Sequence, residues 1–457
     1  MKPQSFSKKP QDPSVLCAWR QQVVQASEDS NARQRLLLQA PEMLPRFNDH
    51  YAKLKALPRR ARRALQRQWK RSLAGVALLL ALGQAPALAA TINVGGGCSL
   101  VDAITAANTN TATGGCSKGG GADRIVLPPN STQRLTAVNN NNPDEGPTGL
   151  PIISSAIAID GNRSTIRRIA SAPEFRIFTV ERGARLTLME TRVTGGAASN
   201  VGETENGGGG LLNRGVISLT HCVVADNRAE NGGAVTSAGA DTRLIITNST
   251  ISGNTAIGGN AGGVEVYAGA ARLTNSTISG NTAGTAGGGL ANIAATLDLA
   301  NSTISGNSAG SYGGGVIDVY GGAATLARTV ISGNTAASAA EVFNGSDSTI
   351  TAANFNLFGH RGLSNARAFE NFTPGTTDIT ATSDGDTPTA LNRILNTRLG
   401  NNGGPTRTHA LVAGSPAIDS VSDGTCPPPS KDQRGVRRPR DGNGDGGAAC
   451  DTGSFER

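Results

Sequence analysis

The nine residues Asn248-Ser249-Thr250-Ile251-Ser252-Gly253-Asn254-Thr255-Ala256 return nearly unchanged at Asn275–Ala283 and Asn301–Ala309. They return in degraded form at Arg328–Ala336. Counted on Ile251, Ile278, Ile304 and Ile331, the steps are 27, 26 and 27 residues, and a weaker copy places Val224 and Asn227 one step earlier. A period in this range is the signature of a solenoid, in which each repeat buries its apolar face only by stacking on its neighbours.

Each repeat carries two further apolar pieces. One follows paired glycines, at Gly262-Gly263-Val264, Gly288-Gly289-Leu290 and Gly314-Gly315-Val316, with Val342 at the same place in the next copy. The other is Ala271-Arg272-Leu273, Ala295-Thr296-Leu297 and Ala324-Thr325-Leu326. Short β-type runs divided by Gly and Asn, with no 3.6-residue periodicity, exclude a helical repeat. The fold predicted is all-β: a single-stranded parallel β-helix of about 26–27 residues per coil and three strands per coil.

Strand alternation then assigns directions. Ile251 points inward with Ser249 and Gly253, while Asn248, Thr250 and Ser252 point outward. Stacking builds an isoleucine ladder through Ile251, Ile278, Ile304 and Ile331. It also builds an asparagine ladder through Asn254, Asn281, Asn307 and Asn334, each side-chain amide bonding the next coil. The outward hydroxyl and amide row is expected to face solvent, and it is the surface left for a partner.

Charge is distributed unevenly. The net charge is +8, but residues 1–71 hold 16 of the 42 Lys+Arg and 5 of the 34 Asp+Glu, leaving 26 against 29 in the remainder. The basicity is therefore local, and gives no case for a nucleic-acid-binding domain. Arg59-Arg60-Ala61-Arg62-Arg63 and Lys70-Arg71 precede the apolar run Leu73–Leu82 and then Ala87-Leu88-Ala89. That order of basic, apolar and small residues is an export signal cleaved near Ala89/Ala90. The organisation expected is a basic leader at 1–71 and signal core and cleavage region at 72–89. An N-terminal cap with the first strands follows at 90–165, regular coils at 166–365 and a C-terminal cap at 366–457.

An oxidising destination permits disulfides. Cys98 and Cys116 lie close in sequence at one end, and Cys426 and Cys450 at the other, so one bridge per cap is expected. Cys222 is left over and aligns with inward Ser249, Ser276 and Ser302, as a small buried residue. Ser99, followed three positions later by Asp102, reads as the cap of one short helix laid over the first coil. Arg124-Ile125-Val126-Leu127 is expected to begin the β structure.

The segment Cys98-Ser99-Leu100-Val101-Asp102-Ala103-Ile104 resembles the C-S-L-R-E-A-I opening of CSLREA-domain bacterial surface proteins, with Val101 and Asp102 in place of Arg and Glu. The tail resembles the choice-of-anchor Q domain. It carries Gly403-Gly404-Pro405-Thr406 with Thr408-His409, Gly414-Ser415-Pro416-Ala417-Ile418-Asp419, Asp432-Gln433-Arg434-Gly435 and Asp451-Thr452-Gly453-Ser454-Phe455-Glu456. The resemblance covers nearly everything after the signal. It implies an exported right-handed β-helix and no particular reaction.

Catalytic signatures are sparse. A glycosidase needs two carboxylates about 5–9.5 Å apart, but Asp226, Asp241, Glu265, Asp298, Asp318 and Glu341 do not stack on neighbouring coils. The nearest enzymatic grouping is Asp318 beside Asn292, with Tyr320 close by. His221, His360 and His409 fall in no catalytic motif. Asp441, Asn443 and Asp445 match the start of a calcium loop, with Asp451 as a substitute closing ligand. Calcium is accordingly the one candidate cofactor. The function expected is non-enzymatic adhesion or surface interaction by an exported monomer, with glycans or cell-surface proteins as partners. No nucleic acid and no membrane anchor after cleavage are expected. The alternative is a polysaccharide lyase or glycoside hydrolase acting in a groove.

Overall fold

A computed structural model describes residues 89–457 apart from 144, 200–206, 353, 423–425 and 427. The basic leader and the signal segment as far as residue 88 lie outside the described residues. The chain forms a parallel β-helix, the fold its periodicity predicts, and its coils are right-handed, as the family resemblance implies. It is built from three parallel sheets of 18, 8 and 5 strands, the last confined to the coils between Ala197 and Ala309.

The expected three strands per coil become four short segments, because the largest sheet folds along its length into two arms. In one coil these are Val264–Tyr267, Ala270–Thr274, Thr277–Ser279 and Thr282–Ala283. The crease between the arms is the first asparagine of the repeat. Asn248, Asn275 and Asn301 have φ of 51°, 49° and 48°, a left-handed conformation that Asn tolerates better than most side chains. The second bend falls on Gly253, Gly280 and Gly306, at φ of 65° to 72°, where a Cβ would be strained.

The register confirms both ladders. Ile251 pairs with Ile278 and Ile278 with Ile304, all buried. Asn254 Nδ2 donates to Asn281 Oδ1 at 2.9 Å, Asn281 to Asn307 at 2.9 Å and Asn307 to Asn334 at 2.9 Å. Each amide also donates one coil back, as Asn254 does to the Val224 carbonyl at 3.0 Å. These bonds give the carbonyls beside the bend a second donor: the Ile304 carbonyl takes both the Asn334 amide at 3.0 Å and the Ser332 N–H of the next coil at 3.1 Å. The inward serines form a third ladder, in which the N–H groups of Cys222, Ser249 and Ser276 donate to the hydroxyls of Ser249, Ser276 and Ser302.

The N-terminal lid is the helix Leu100–Thr109, which buries Leu100, Ala103, Ile104, Ala106 and Ala107. Its cap Ser99 accepts the Asp102 N–H at 3.1 Å, and its hydroxyl donates to the Asp102 carboxylate at 2.6 Å. The β structure starts earlier than Arg124. Thr91–Asn93 already pairs with Asp123–Val126 as a first rung. Both expected disulfides are present, Cys98–Cys116 and Cys426–Cys450. Cys222 is free and buried. Among the described residues, no helix is long and apolar enough to cross a membrane.

The largest departure from expectation is the tail. Residues beyond about 396 do not simply close the last coil; they run back along the outer face of the arm that carries Thr250, Thr277 and Thr303. Thr250 donates to the Arg407 carbonyl at 2.7 Å, Thr277 to Gln433 Oε1 at 2.7 Å, and the Ser454 hydroxyl to Thr303 at 3.0 Å. The row does point away from the core, as alternation requires, yet Thr250, Thr277, Thr303, Ser279 and Ser305 are all buried beneath the tail. Thr255, Thr282 and Thr335, around the next bend, are the hydroxyls exposed to solvent.

Candidate functional site

The tail motifs that stand out in sequence are the parts of this clasp. Gln433 lies at its centre: Nε2 donates to Thr250 Oγ1 at 3.0 Å and to Thr406 Oγ1 at 2.8 Å, while Oε1 takes the Thr277 hydroxyl. His409 bridges Ser279 through Nε2 at 2.8 Å and the Asn396 carbonyl through Nδ1 at 2.7 Å. Burial pushes its pKa below the usual histidine value. Asp432 accepts the Arg434 and Val436 N–H groups and the Glu456 N–H at 2.9 Å each. Arg438 holds the Asp451 and Gly453 carbonyls at 2.7 and 2.6 Å, with Glu456 beside it at 3.4 Å. These residues spend their hydrogen-bonding capacity inside the protein.

The calcium candidates are likewise engaged. Asp441 accepts the Gly444 and Gly446 N–H groups, Asn443 the Asp445 N–H, and Asp445 the Gly447 N–H, on one exposed loop. Asp451 is buried, and its oxygens take the N–H groups of Asp419 and Arg457 at 2.8 and 2.6 Å. Burial lifts its carboxyl to about 6. Among the described residues, no three His, Cys, Asp or Glu side chains are placed to hold one ion.

The Asp318 grouping resolves into a buried corner contact. Asn292 Nδ2 donates to Asp318 Oδ1 at 2.8 Å and to the Ala295 carbonyl at 2.9 Å. Burial raises Asp318 to about 6. Both side chains are inaccessible, while Tyr320 is 72% exposed on the neighbouring turn. Asp318 has no open surface from which to reach a substrate. Glu265 is also buried, accepting the Thr236 hydroxyl at 3.0 Å. His221 is half-buried against Asn248, and His360 accepts the Gly362 N–H.

The open site lies on the same arm as the clasp, on the earlier coils. A groove of about 590 Å³ is lined by Thr165, Arg167, Arg192, Thr194, Asp226 and Arg228, with Thr132 and Arg168 at its edges. Register explains the lining. Thr132, Thr165, Arg192, Val223 and Thr250 occupy one outward row on successive rungs, and Arg134, Arg167, Thr194, Ala225 and Ser252 the next. At the Thr250 rung the tail takes over. Arg168 builds a wall of the groove: its guanidinium donates to the carbonyls of Pro173, Ala172 and Gly195 and lies 5.7 Å from the Phe175 ring centroid. Burial, and after it the charge of Arg228, holds Arg168 below the usual arginine range.

The lining is strongly cationic. Arg192 meets Asp226 at 2.7 Å and Arg228 pairs with Glu174, both at the surface. Arg134 and Arg167 are exposed, in register on adjacent rungs, and neither has a carboxylate partner among the described residues. Sequence reasoning missed this cluster. The coils that carry it lack the 26–27-residue repeat, and a register shift between Asp160 and Ser164 hides which arginines align.

No known family pattern matches the sequence, and no curated protein is detectably similar to it. Among solved structures, the chain is similar to one described as the crystal structure of pectate lyase Pel9A. The identity is 14%, the TM-score is 0.35, and the match covers 73% of this chain and 88% of that one.

Proposed function

We propose that the protein is an exported β-helix of the CSLREA/choice-of-anchor Q kind that acts by non-enzymatic surface interaction. Its binding site is the groove over Thr165, Arg167 and Arg192. One observation carries this reading: the tail seals the arm from Thr250 onward, and the rungs before it present an open, wall-bounded groove. Export is supported by the basic-apolar-small leader and by two disulfides. The lining speaks against a glycoside hydrolase, because its one carboxylate, Asp226, is engaged with Arg192. Acid/base cleavage of a glycoside uses two carboxylates.

The test pairs two measurements on purified full-length protein. Binding to glycans or to intact cell envelopes, together with no release of shortened chains, supports surface interaction. Depolymerisation of any glycan that enters the groove overturns it in favour of a lyase or hydrolase. Fractionation tests export: a cytoplasmic protein retaining residues 1–89 removes that part of the reading.

A further inference from the structure

Resting on the groove reading, we infer that the ligand is an anionic glycan, whose negative groups recur along an extended chain and are met by Arg134, Arg167, Arg192 and Arg228.

Three observations carry this. The first is the placement of like charges. Arg134 and Arg167 occupy directly paired positions on adjacent parallel strands, where like charges repel and the neutral alternative is readily available. Farther along the same two outward rows this chain uses that alternative, with Thr250, Thr277 and Thr303 in one and Ser252, Ser279 and Ser305 in the other. The arginines are therefore confined to the uncovered rungs.

The second observation is the charge balance. Arg167, Arg168, Arg192 and Arg228 line the groove, with Arg134 in register beside Arg167, and the carboxylates paired with this group are two, Asp226 with Arg192 and Glu174 with Arg228. Both of those ion pairs are solvent-exposed, and exposed pairs contribute little. A ligand carboxylate or sulfate can therefore replace either acid at small cost and keep a charge-assisted, two-pronged contact with arginine.

The third observation is spacing. Successive rungs repeat at roughly 4.8 Å, close to the length of one sugar residue in an extended chain. An arginine on one rung and a second on the next thus present cations at the interval at which a charged glycan presents anions. Threonine hydroxyls at Thr132, Thr165 and Thr194, interleaved with the arginines, supply neutral hydrogen-bonding partners for ring hydroxyls.

The experiment measures affinity of the full-length protein for three polymers: alginate, which carries carboxylates, dextran sulfate, which carries sulfates, and uncharged dextran. Either charged polymer should bind at least tenfold more tightly than dextran, and the preferred one identifies the anion. Affinity should fall steeply with added salt as counterions are released. The exposed double variant Arg134→Ala/Arg167→Ala should lose tenfold or more in affinity while melting no lower than the parent. Arg243→Ala, exposed on the other arm, should bind like the parent. Dextran bound as tightly as alginate and dextran sulfate sinks the anionic assignment and leaves the groove reading intact. A folded double variant that still binds the charged polymer like the parent sinks both. A single-stranded oligonucleotide of matched charge bound as tightly as the glycans also overturns the assignment, by showing unselective attraction to polyanions.

Discussion

The side-chain amide of Asn334 donates to the Glu341 carboxyl at 2.7 Å, and at that contact the asparagine ladder ends. Every earlier asparagine hands an N–H to the next one; the last has none, and Glu341 supplies the acceptor. It also takes the N–H groups of Gly333 and Asn334, at 2.8 and 3.3 Å. The ladder thus ends on an acid with no exposed surface.

Burial pushes the Glu341 carboxyl up to about 8, against the opposing pull of Asn334 and the two backbone amides. A raised value means the folded state keeps a proton that the unfolded state gives up. Glu341 therefore contributes most below its ordinary value of 4.5, and that contribution declines as pH rises to about 8 and levels off beyond. Glu341→Gln, uncharged throughout, should flatten this decline. It should also lose about 1–3 kcal/mol at low pH, because its amide NH2 faces a donor. Urea midpoints at acidic and alkaline pH check both. A decline as steep in the variant as in the parent would assign it to another group.

Gln433→Ala should loosen the clasp without disturbing the coils. Removing the side chain leaves the buried hydroxyls of Thr250, Thr277 and Thr406 short of a partner, a loss of about 3 kcal/mol if each is partly compensated by water. Amide hydrogen exchange should speed up across residues 396–457 and stay slow in the inward strands. Unchanged exchange in the tail would mean that Gln433 does not hold it.

The cysteines should separate cleanly by mass spectrometry. Cys98 should be found joined to Cys116 and Cys426 to Cys450, each bridge closing a loop worth about 3 kcal/mol of unfolded-chain entropy. Cys222, fully buried, is pushed up to about 12 by desolvation. It should resist alkylation in the native protein and react on unfolding, since the thiolate is the nucleophile. Rapid native labelling would contradict its placement.

Arg167→Thr should stabilise slightly. It removes one of two charges stacked on adjacent strands, a relief of about 0.2–1 kcal/mol. The gain should appear at low salt and vanish at high salt, because exposed charges are screened. A loss of stability at low salt would mean that Arg167 has a compensating partner in solution.

The ladders could be read from the sequence because each contact joins residues one period apart, so Ile251 announces Ile278 and Asn254 announces Asn281. The bend at Asn248 was visible as a residue type but not as a bend. The alternation rule correctly turned Thr277 away from the core and still misjudged its surroundings. Its partners Gln433 and Ser454 lie 156 and 177 residues later, in turns whose polar residues look no different from solvated ones. The groove stayed hidden for a related reason. Arg134 and Arg167 are separated by an irregular coil, so no period links them, and only the rung register brings them together. Asp318 reads from sequence as the nearest enzymatic candidate because sequence does not distinguish a carboxyl at a surface from one sealed in a corner.

The tail also changes how the protein should come apart. In a plain stack each coil is held only by its neighbours, so ends can fray and unfolding can proceed one rung at a time. Here one segment grips the coils of Asn248, Thr277, Thr303 and Arg328 together, from positions 151 to 158 residues away at three of those contacts. Opening any one of those coils strains a segment that also holds the others. The clasped coils therefore melt as one cooperative block, and the unclasped coils bearing the groove keep the freedom to breathe.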